Sequence, residues 1–349
     1  LTAEPLLDSI NPLSWFRAGR RIAEIAPDLV IVHWWNPFFG PCLGTTVRLA
    51  RRRSRASVIF ICHNVVPHEP FPLARGLTRF ALAPGDAWLV HSETDRRDLE
   101  SLNLQGHTVL VPQPPGQGFG APIDKEQAKS RLGLSGNTLL FFGLIRSYKG
   151  LPRLLEAMPL VLQKVNCTLL VVGEFYEGKD RCLNLISALG LASNVRIIDR
   201  FVPDDEVSLY FSAADLVVLP YESATQSAIV PIAFAFERPV VATRVGGLPE
   251  AVRDGETGLL VPVELSVDDP MQPVDPDRFE RNLAGAINAL MADPATREVM
   301  GRAARRRILP GPVRFWPSGS FGQQARRPRC AHGICRACGA CRSWARRHG

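Results

Sequence analysis

Apolar positions along this chain come in short unbroken runs rich in Val, Ile and Leu. DLVIVHW (28–34), SVIFICHN (57–64), AWLVHS (87–92) and HTVLVP (107–112) come first. NTLLFFGLI (137–145), CTLLVVGEF (167–175), NVRIIDRFV (194–202), DLVVLPY (215–221) and RPVVATRV (238–245) follow. Runs this short, with no polar alternation, are expected of strands buried on both faces of a parallel sheet. Between them, LPRLLEAMPLVLQKV (151–165) and KDRCLNLISALGL (179–191) repeat apolar positions at helical spacing, and FERNLAGAINALMAD (279–293) follows the last run. Strand alternating with helix predicts βαβ units and an α/β fold. The alternation breaks at VPQPPGQGFGAPIDKEQAK, where Pro and Gly between Pro112 and Pro122 can continue neither element. The expectation is a first domain over 1–115, a linker over 116–124, a second domain over 125–300 and a tail over 301–349.

Composition changes this picture in three ways. First, no apolar run reaches the roughly 18 residues that a spanning helix needs, so no transmembrane segment is expected. The opening LTAEPLLDSI lacks a basic start and a long apolar stretch, and there is no initiator Met, so the start of the chain is expected to be missing. Second, the net charge of +7 comes from the tail. From Gly301 onward there are 12 Arg and no acid or Lys, which leaves 41 − 12 = 29 Lys+Arg against 34 Asp+Glu in residues 1–300. The body is acidic, and no nucleic-acid partner is expected. Third, Cys42, Cys62, Cys167 and Cys182 are scattered and read as buried free thiols in a reducing compartment.

Chemistry is suggested first by FFGLIRSYKG (141–150). An apolar run stops at Gly143, two cations occupy the loop, and a helix begins after Gly150. Glycine lets a ligand approach the backbone, a helix start offers free N–H groups, and Arg146 and Lys149 add charge. The loop suits a phosphate, preferably a diphosphate, although neither GxxxxGK[ST] nor GxGxxG is present. Its ordinary alternative is a solvated turn. A second loop, with Ser223, Thr225, Gln226 and Ser227 before an apolar helix, could meet the same phosphates or simply cap that helix. Gly246 and Gly247 make a third tight turn on the same predicted sheet edge.

FFGLIRSYKG, VVGEF, RFVPDDEVSLYFSAADLVVLPY and ERPVVATRVGGLPEAVRDGETGLLV, in this order and spacing, resemble the family 4 glycosyltransferases over roughly residues 85–300. The resemblance implies a GT-B architecture of two Rossmann-like domains with parallel sheets facing a cleft. It implies transfer of a sugar, with retention of anomeric configuration, from a nucleoside-diphosphate sugar to a glycan, glycolipid or other lipid-linked acceptor, without a metal or other cofactor. Arg146 and Lys149 match positions that neutralise the leaving diphosphate, with Gly143 and Gly150 shaping their loop. His63 matches a histidine lining the donor sugar, and His68 and Glu69 are further candidates. Phe201 and Val202 lie where family members hold the base with backbone groups, and Thr225, Gln226 and Ser227 lie beside the diphosphate and sugar. A cytoplasmic setting, at the inner face of a membrane, is implied. Arg48, Arg51, Arg52, Arg53 and Arg55 offer a peripheral membrane contact, or an ordinary solvated helix end.

Several features depart from the family. Many members carry two glutamates eight residues apart before the PVVAT strand, where this chain has Ala224 and Ile232. Glu222 lies nearby but out of register and reads as a solvated loop acid; the SATQS form resembles a subgroup variant. The match begins only after the family's first strand–loop–helix unit, and a sheet without that unit would expose apolar surface. In the tail, Cys330, Cys335, Cys338 and Cys341 are spaced like metal ligands, but the surrounding composition fits an unstructured or frame-shifted segment. Two other functions stay open at this point: a nucleotide-sugar epimerase on the same fold, and an inactive relative that only binds nucleotide.

Overall fold

The computed structural model describes residues 4–66, 73–111, 118–266 and 272–308. His68, Glu69, part of the expected linker and the cysteine-bearing tail lie outside these residues.

Two parallel sheets organise the chain. The first lobe runs α1 (Pro12–Ile25), β1 (Leu29–Trp34), α2 (Gly40–Arg51), β2 (Ser57–Cys62), α3 (Ala74–Leu82), β3 (Ala87–Val90), α4 (Glu93–Ser101) and β4 (His107–Leu110). Its strands lie in the order β1-β2-β3-β4. The second lobe runs α5 (Lys125–Leu132), β5 (Asn137–Phe142), α6 (Leu151–Leu162), β6 (Cys167–Val172), α7 (Lys179–Ala188), β7 (Val195–Ile198) and α8 (Asp204–Ala213). It continues through β8 (Leu216–Leu219), α9 (Ile229–Ala235), β9 (Val240–Thr243), α10 (Leu248–Ala251), β10 (Gly258–Val261), α11 (Pro276–Ala292) and α12 (Pro294–Ile308). Its strand order is β10-β9-β8-β5-β6-β7.

That order explains the unbroken apolar runs. Along β5, Leu139 and Phe141 join one core with α6 and α11, while Leu140 and Phe142 join the opposite core with α8 and α9. Both faces of the strand are therefore dry, and each such side chain contributes about 1.5–3 kcal/mol by leaving water. The edges behave otherwise. All four residues of β4 are exposed, and Leu29 and Ile31 of β1 are exposed on the other edge of the first sheet. The expectation of strands covered on both faces thus holds for the middle of the sheets and fails at these edges, where no neighbour covers the outer side.

Local signals set the helix ends. Asn11 caps α1 by accepting from the Leu13 N–H, Ser92 caps α4 from the Asp95 N–H, and Asp275 caps α11 from the Arg278 N–H. At the amino end of the second sheet, Asp215 is buried and accepts from Lys125 at 2.7 Å, Lys129 at 2.9 Å and the Thr138 N–H at 2.9 Å. Burial pulls its pKa upward, but the two lysines outweigh burial and hold the carboxyl below its ordinary value. This junction ties α5 to the starts of β5 and β8.

The order of the second sheet also places the site. From β5 the chain moves outward through β6 and β7, then returns to the other side of β5 with β8. The reversal lies between β5 and β8, and in open α/β sheets the crevice beyond the carboxyl ends at such a point is where ligands bind. The loops leaving β5 and β8 are FFGLIRSYKG and YESATQS.

Candidate donor site at the sheet reversal

Three loops meet at this crevice, and glycines let them meet. Gly150 has a φ of +66°, and a Cβ there would overlap the carbonyl oxygen of Pro220 in the loop after β8. Gly246 has a φ of +49°, and a Cβ there would overlap the carbonyl oxygen of Ala224. The FFGLIRSYKG, SATQS and VGG loops therefore form one backbone layer in which side chains are excluded at the contact points.

Lys149 sits in that layer with 9% of its surface exposed. Its Nζ lies 3.0 Å from where a Cβ of Gly143 would stand and 5.6 Å from the centre of the Tyr221 ring. Among the described residues no carboxylate pairs with it. Burial, with Arg146 adding to it and Tyr148 opposing, pushes the ammonium pKa below the ordinary lysine value. Arg146 is placed differently. Its guanidinium lies 4.0 Å from the centre of the Tyr176 ring, and it lines a cavity of about 250 Å³ with Ser147, Arg153, Glu177, Arg181, Glu222 and Gln272. Glu177 accepts from the Ser147 N–H at 2.8 Å and the Ser147 hydroxyl at 2.7 Å, which holds the two cationic residues on one short turn.

Glu222 corrects the sequence expectation of a solvated loop acid. It is 7% exposed and lies 3.4 Å from the Arg153 Nε. Arg153 also meets Glu156 at 3.0 Å, Glu280 at 3.6 Å and Gln272 at 2.6 Å. Its positive charge explains why an acid is tolerated inside this loop. Glu280, on α11, is pushed up to about 7 by burial and by Glu156 beside it. Ala224 and Ile232, at the family's glutamate positions, are buried apolar residues.

The SATQS loop does more than face the crevice. The Thr225 hydroxyl donates to Asn64 Oδ1 at 2.6 Å, and the Gln226 Nε2 donates to the His63 carbonyl at 2.6 Å, both across to the first lobe. Ser227 turns inward to accept from the Ile229 N–H at 3.2 Å. A further link runs from the Glu93 N–H, at the start of α4, to Glu250 Oε2 on α10 at 2.8 Å. Phe201 is 73% exposed beyond β7, while Val202 next to it is buried.

His63 follows β2 at the carboxyl edge of the first sheet, and two histidines flank it. His33 lies on β1 with its Nδ1 2.9 Å from His63 Nε2, the two ring centres 5.2 Å apart and the ring planes within 10°, an edge-to-edge pair. His91 follows β3, 5.7 Å from His63 between ring centres. Burial, then His91 and His33, hold the His63 imidazole below its ordinary pKa. The loop carrying His63 is fixed by buried Asp95, which accepts from the Val65 N–H at 3.2 Å and the Ser92 hydroxyl at 2.7 Å; burial lifts its carboxyl to about 6. Among the described residues, no group of three or more His, Cys, Asp or Glu side chains is arranged to hold a metal ion.

Residues 136–293 match the model of a family described as glycosyl transferases group 1. The second lobe is a group 1 glycosyltransferase domain. Among curated proteins, the chain is 31% identical over 246 residues to a D-inositol 3-phosphate glycosyltransferase of Pseudarthrobacter chlorophenolicus, covering 68% of this chain and 55% of that one. It is 31% identical over 297 residues to the protein of that name from Segniliparus rotundus, covering 79% and 61%. The chain thus spans little more than half of these relatives' own length. Among solved structures, sucrose-phosphate synthase from Thermosynechococcus elongatus superposes with a TM-score of 0.66 at 23% identity, covering 88% of this chain and 77% of that one. Anabaena HepE, in complex with UDP and glucose, superposes with a TM-score of 0.65 at 18% identity, covering 85% and 76%. These likenesses show the GT-B fold of this chain.

The remaining sequence expectations fare unequally. Cys42, Cys62, Cys167 and Cys182 are buried free thiols, as expected. Of the arginine cluster, Arg48 lies over the Phe80 ring at 4.0 Å and Arg51 pairs with Asp86 at 3.1 Å, so two of its cations serve packing of the first lobe. Sequence reasoning missed His33, His91, Asn64, Arg153 and Glu250. The two histidines carried a signal, since each stands at the carboxyl end of a strand run, as His63 does.

Proposed function

We propose that this chain transfers a sugar, with retention of configuration, from a nucleoside-diphosphate sugar to an acceptor hydroxyl. The observation that carries this reading is Lys149, a cation nine-tenths buried at the sheet reversal with no carboxylate partner among the described residues. Burying an unpaired ammonium costs several kcal/mol, so such a group favours an anion from outside. A diphosphate fits: it needs close backbone approach, which Gly143 allows beside the Lys149 ammonium, and the start of α6 adds free N–H groups. HepE, on the same fold, was crystallised with UDP and glucose.

In the step itself, the bond from the sugar C1 to the β-phosphate oxygen breaks, and its electron pair leaves on the diphosphate. The acceptor oxygen forms the new bond to C1 on the same face, and the acceptor proton passes to the departing phosphate oxygen. Lys149, with Arg146 close by, stabilises the charge that grows on that oxygen. His63, from the first lobe, faces the sugar as a neutral imidazole. The relatives' name suggests a polyol phosphate as one acceptor class; glycans and lipid-linked sugars are the others. An epimerase would need free carboxylates around the sugar, and the acid of this loop, Glu222, is engaged with Arg153.

The test is product analysis with UDP-, GDP- and ADP-sugars, with and without inositol phosphate or a glycan acceptor. A glycosylated acceptor whose anomeric proton coupling matches the donor's configuration supports the reading. An epimerised donor formed without acceptor overturns it.

A further inference from the structure

The three histidines at the carboxyl edge of the first sheet form a row, and one of them has a use beyond packing. Parallel register sets the row. His33 pairs with Ile61 across β1 and β2, two residues before His63, and Ile61 pairs in turn with Leu89 on β3, two residues before His91. His91 is the simplest of the three. Its Nδ1 lies 2.9 Å from the Val111 carbonyl, which can only accept, so His91 Nδ1 carries the proton. His33 and His63 share one hydrogen bond, and it joins a defined pair of nitrogens: Nδ1 of His33 and Nε2 of His63.

We propose that His33 is the positioning residue of His63, committing His63 Nε2 to the hydrogen bond in a near-coplanar, edge-to-edge pair so that Nδ1 is the nitrogen left to meet the donor sugar or acceptor hydroxyl. The inference rests on the placement of His63 at the sugar in the proposed function. The physical reason is that a neutral imidazole has one donor and one acceptor nitrogen. Committing Nε2 to this bond couples the two rings: where His33 Nδ1 donates, His63 Nδ1 carries the proton, and where His63 Nε2 donates, His63 Nδ1 is left as an acceptor. The near-coplanar geometry, with 10° between the ring planes, restrains the ring plane as well. Trp35, with its ring 6.1 Å from His63, adds a wall on a third side. Among the described residues, the charges that reach His63 come from His33 and His91, on the two neighbouring strands' carboxyl ends. From the opposite lobe, the neutral Gln226 amide meets the His63 carbonyl rather than its ring.

The test uses the full chain with ¹⁵N-labelled histidine, comparing the parent with His33→Phe, which keeps a ring and removes the bond, and His33→Gln, which restores a hydrogen-bonding side chain. Long-range ¹H–¹⁵N spectra read the His63 tautomer and its titration without any substrate. The expected result is one dominant tautomer in the parent, a mixed population and an upward-moving titration in His33→Phe, and partial return in His33→Gln. Where transfer is measurable, kcat falls about tenfold in His33→Phe with little change in KM, the size usual for a lost outer-shell hydrogen bond. An unchanged His63 tautomer and titration in a folded His33→Phe protein overturns the positioning role, whatever the activity. A changed tautomer with unchanged transfer overturns instead the placement of His63 at the sugar, and with it the inference.

Discussion

Replacing Lys149 by Met separates what this residue does for folding from what it does for binding. The methionine keeps an apolar stem of similar length in the space between Gly143 and Tyr221 and removes the ammonium. In the parent that ammonium is nine-tenths buried without a carboxylate partner among the described residues, and the Tyr221 ring, 5.6 Å away, faces it favourably. Its desolvation penalty is several kcal/mol, and a cation–π contact offsets about 0.5–2 kcal/mol of it. The variant is therefore expected to be more stable than the parent by about 1–2 kcal/mol without ligand, seen as a rise of about 2–4 °C in Tm. The sign has a pH signature. Because the folded-state pKa lies below the unfolded value, the unfolded chain binds more protons between the two, and parent stability rises with pH across that window. The advantage of the variant therefore shrinks toward alkaline pH. Binding moves the other way. Losing one charge-assisted contact worth about 1.5–3 kcal/mol weakens nucleoside-diphosphate affinity about 10- to 150-fold. Denaturant titration across pH and calorimetric titration with UDP, GDP and ADP measure both quantities. A less stable variant that binds its nucleotide as tightly as the parent would refute the reasoning, because Lys149 would then be a structural cation.

Three other substitutions test the surroundings. Asp215→Asn leaves Lys129 buried without its counter-charge and is expected to destabilise the protein by about 3–5 kcal/mol in denaturant melts, with nucleotide affinity intact where the protein folds. Glu280→Gln should stabilise at pH 8 by on the order of 1 kcal/mol, because the parent carboxyl, with its pKa near 7, must ionise in a buried setting. The unfolded-state value is lower, so this difference should fade as pH falls from 7 to below 4.5. Glu250→Ala removes the acceptor that caps the start of α4 from across the cleft and should cost about 1 kcal/mol of stability. Small-angle scattering of that variant should also show a more open particle if this link holds the lobes together.

How much could be read from the chain alone follows from where each partner lies. The middle strands of the second sheet are legible because both faces are dry, which writes an unbroken apolar run into residues 137–142 and 216–219. β10 (Gly258–Val261) was not anticipated, since four residues after a polar turn make too short a pattern. α1 (Pro12–Ile25) was missed for a different reason: arginines interrupt its apolar positions, and much of its surface stays in water. The turn that carries Lys149 and Gly150 was legible because its glycine and the helix start after it are local to one stretch of chain. Glu222 was misread because the group that buries it, Arg153, is 69 residues away. The positions of the three histidines at strand ends could be read, but their pairing could not. A single histidine at a strand end has no neighbour until the sheet register brings three strands side by side.

Whether a nucleoside diphosphate binds at the reversal of the second sheet, held by the turn that carries Arg146 and Lys149, decides the proposed function. The thermal shift of the purified chain with UDP, GDP and ADP, beside an Arg146→Ala/Lys149→Ala variant, tests it most directly. The expected result is a rise in Tm with one of the three nucleotides that is lost in the variant. A folded chain that none of the nucleotides stabilises, or a variant that is stabilised as much as the parent, would contradict it.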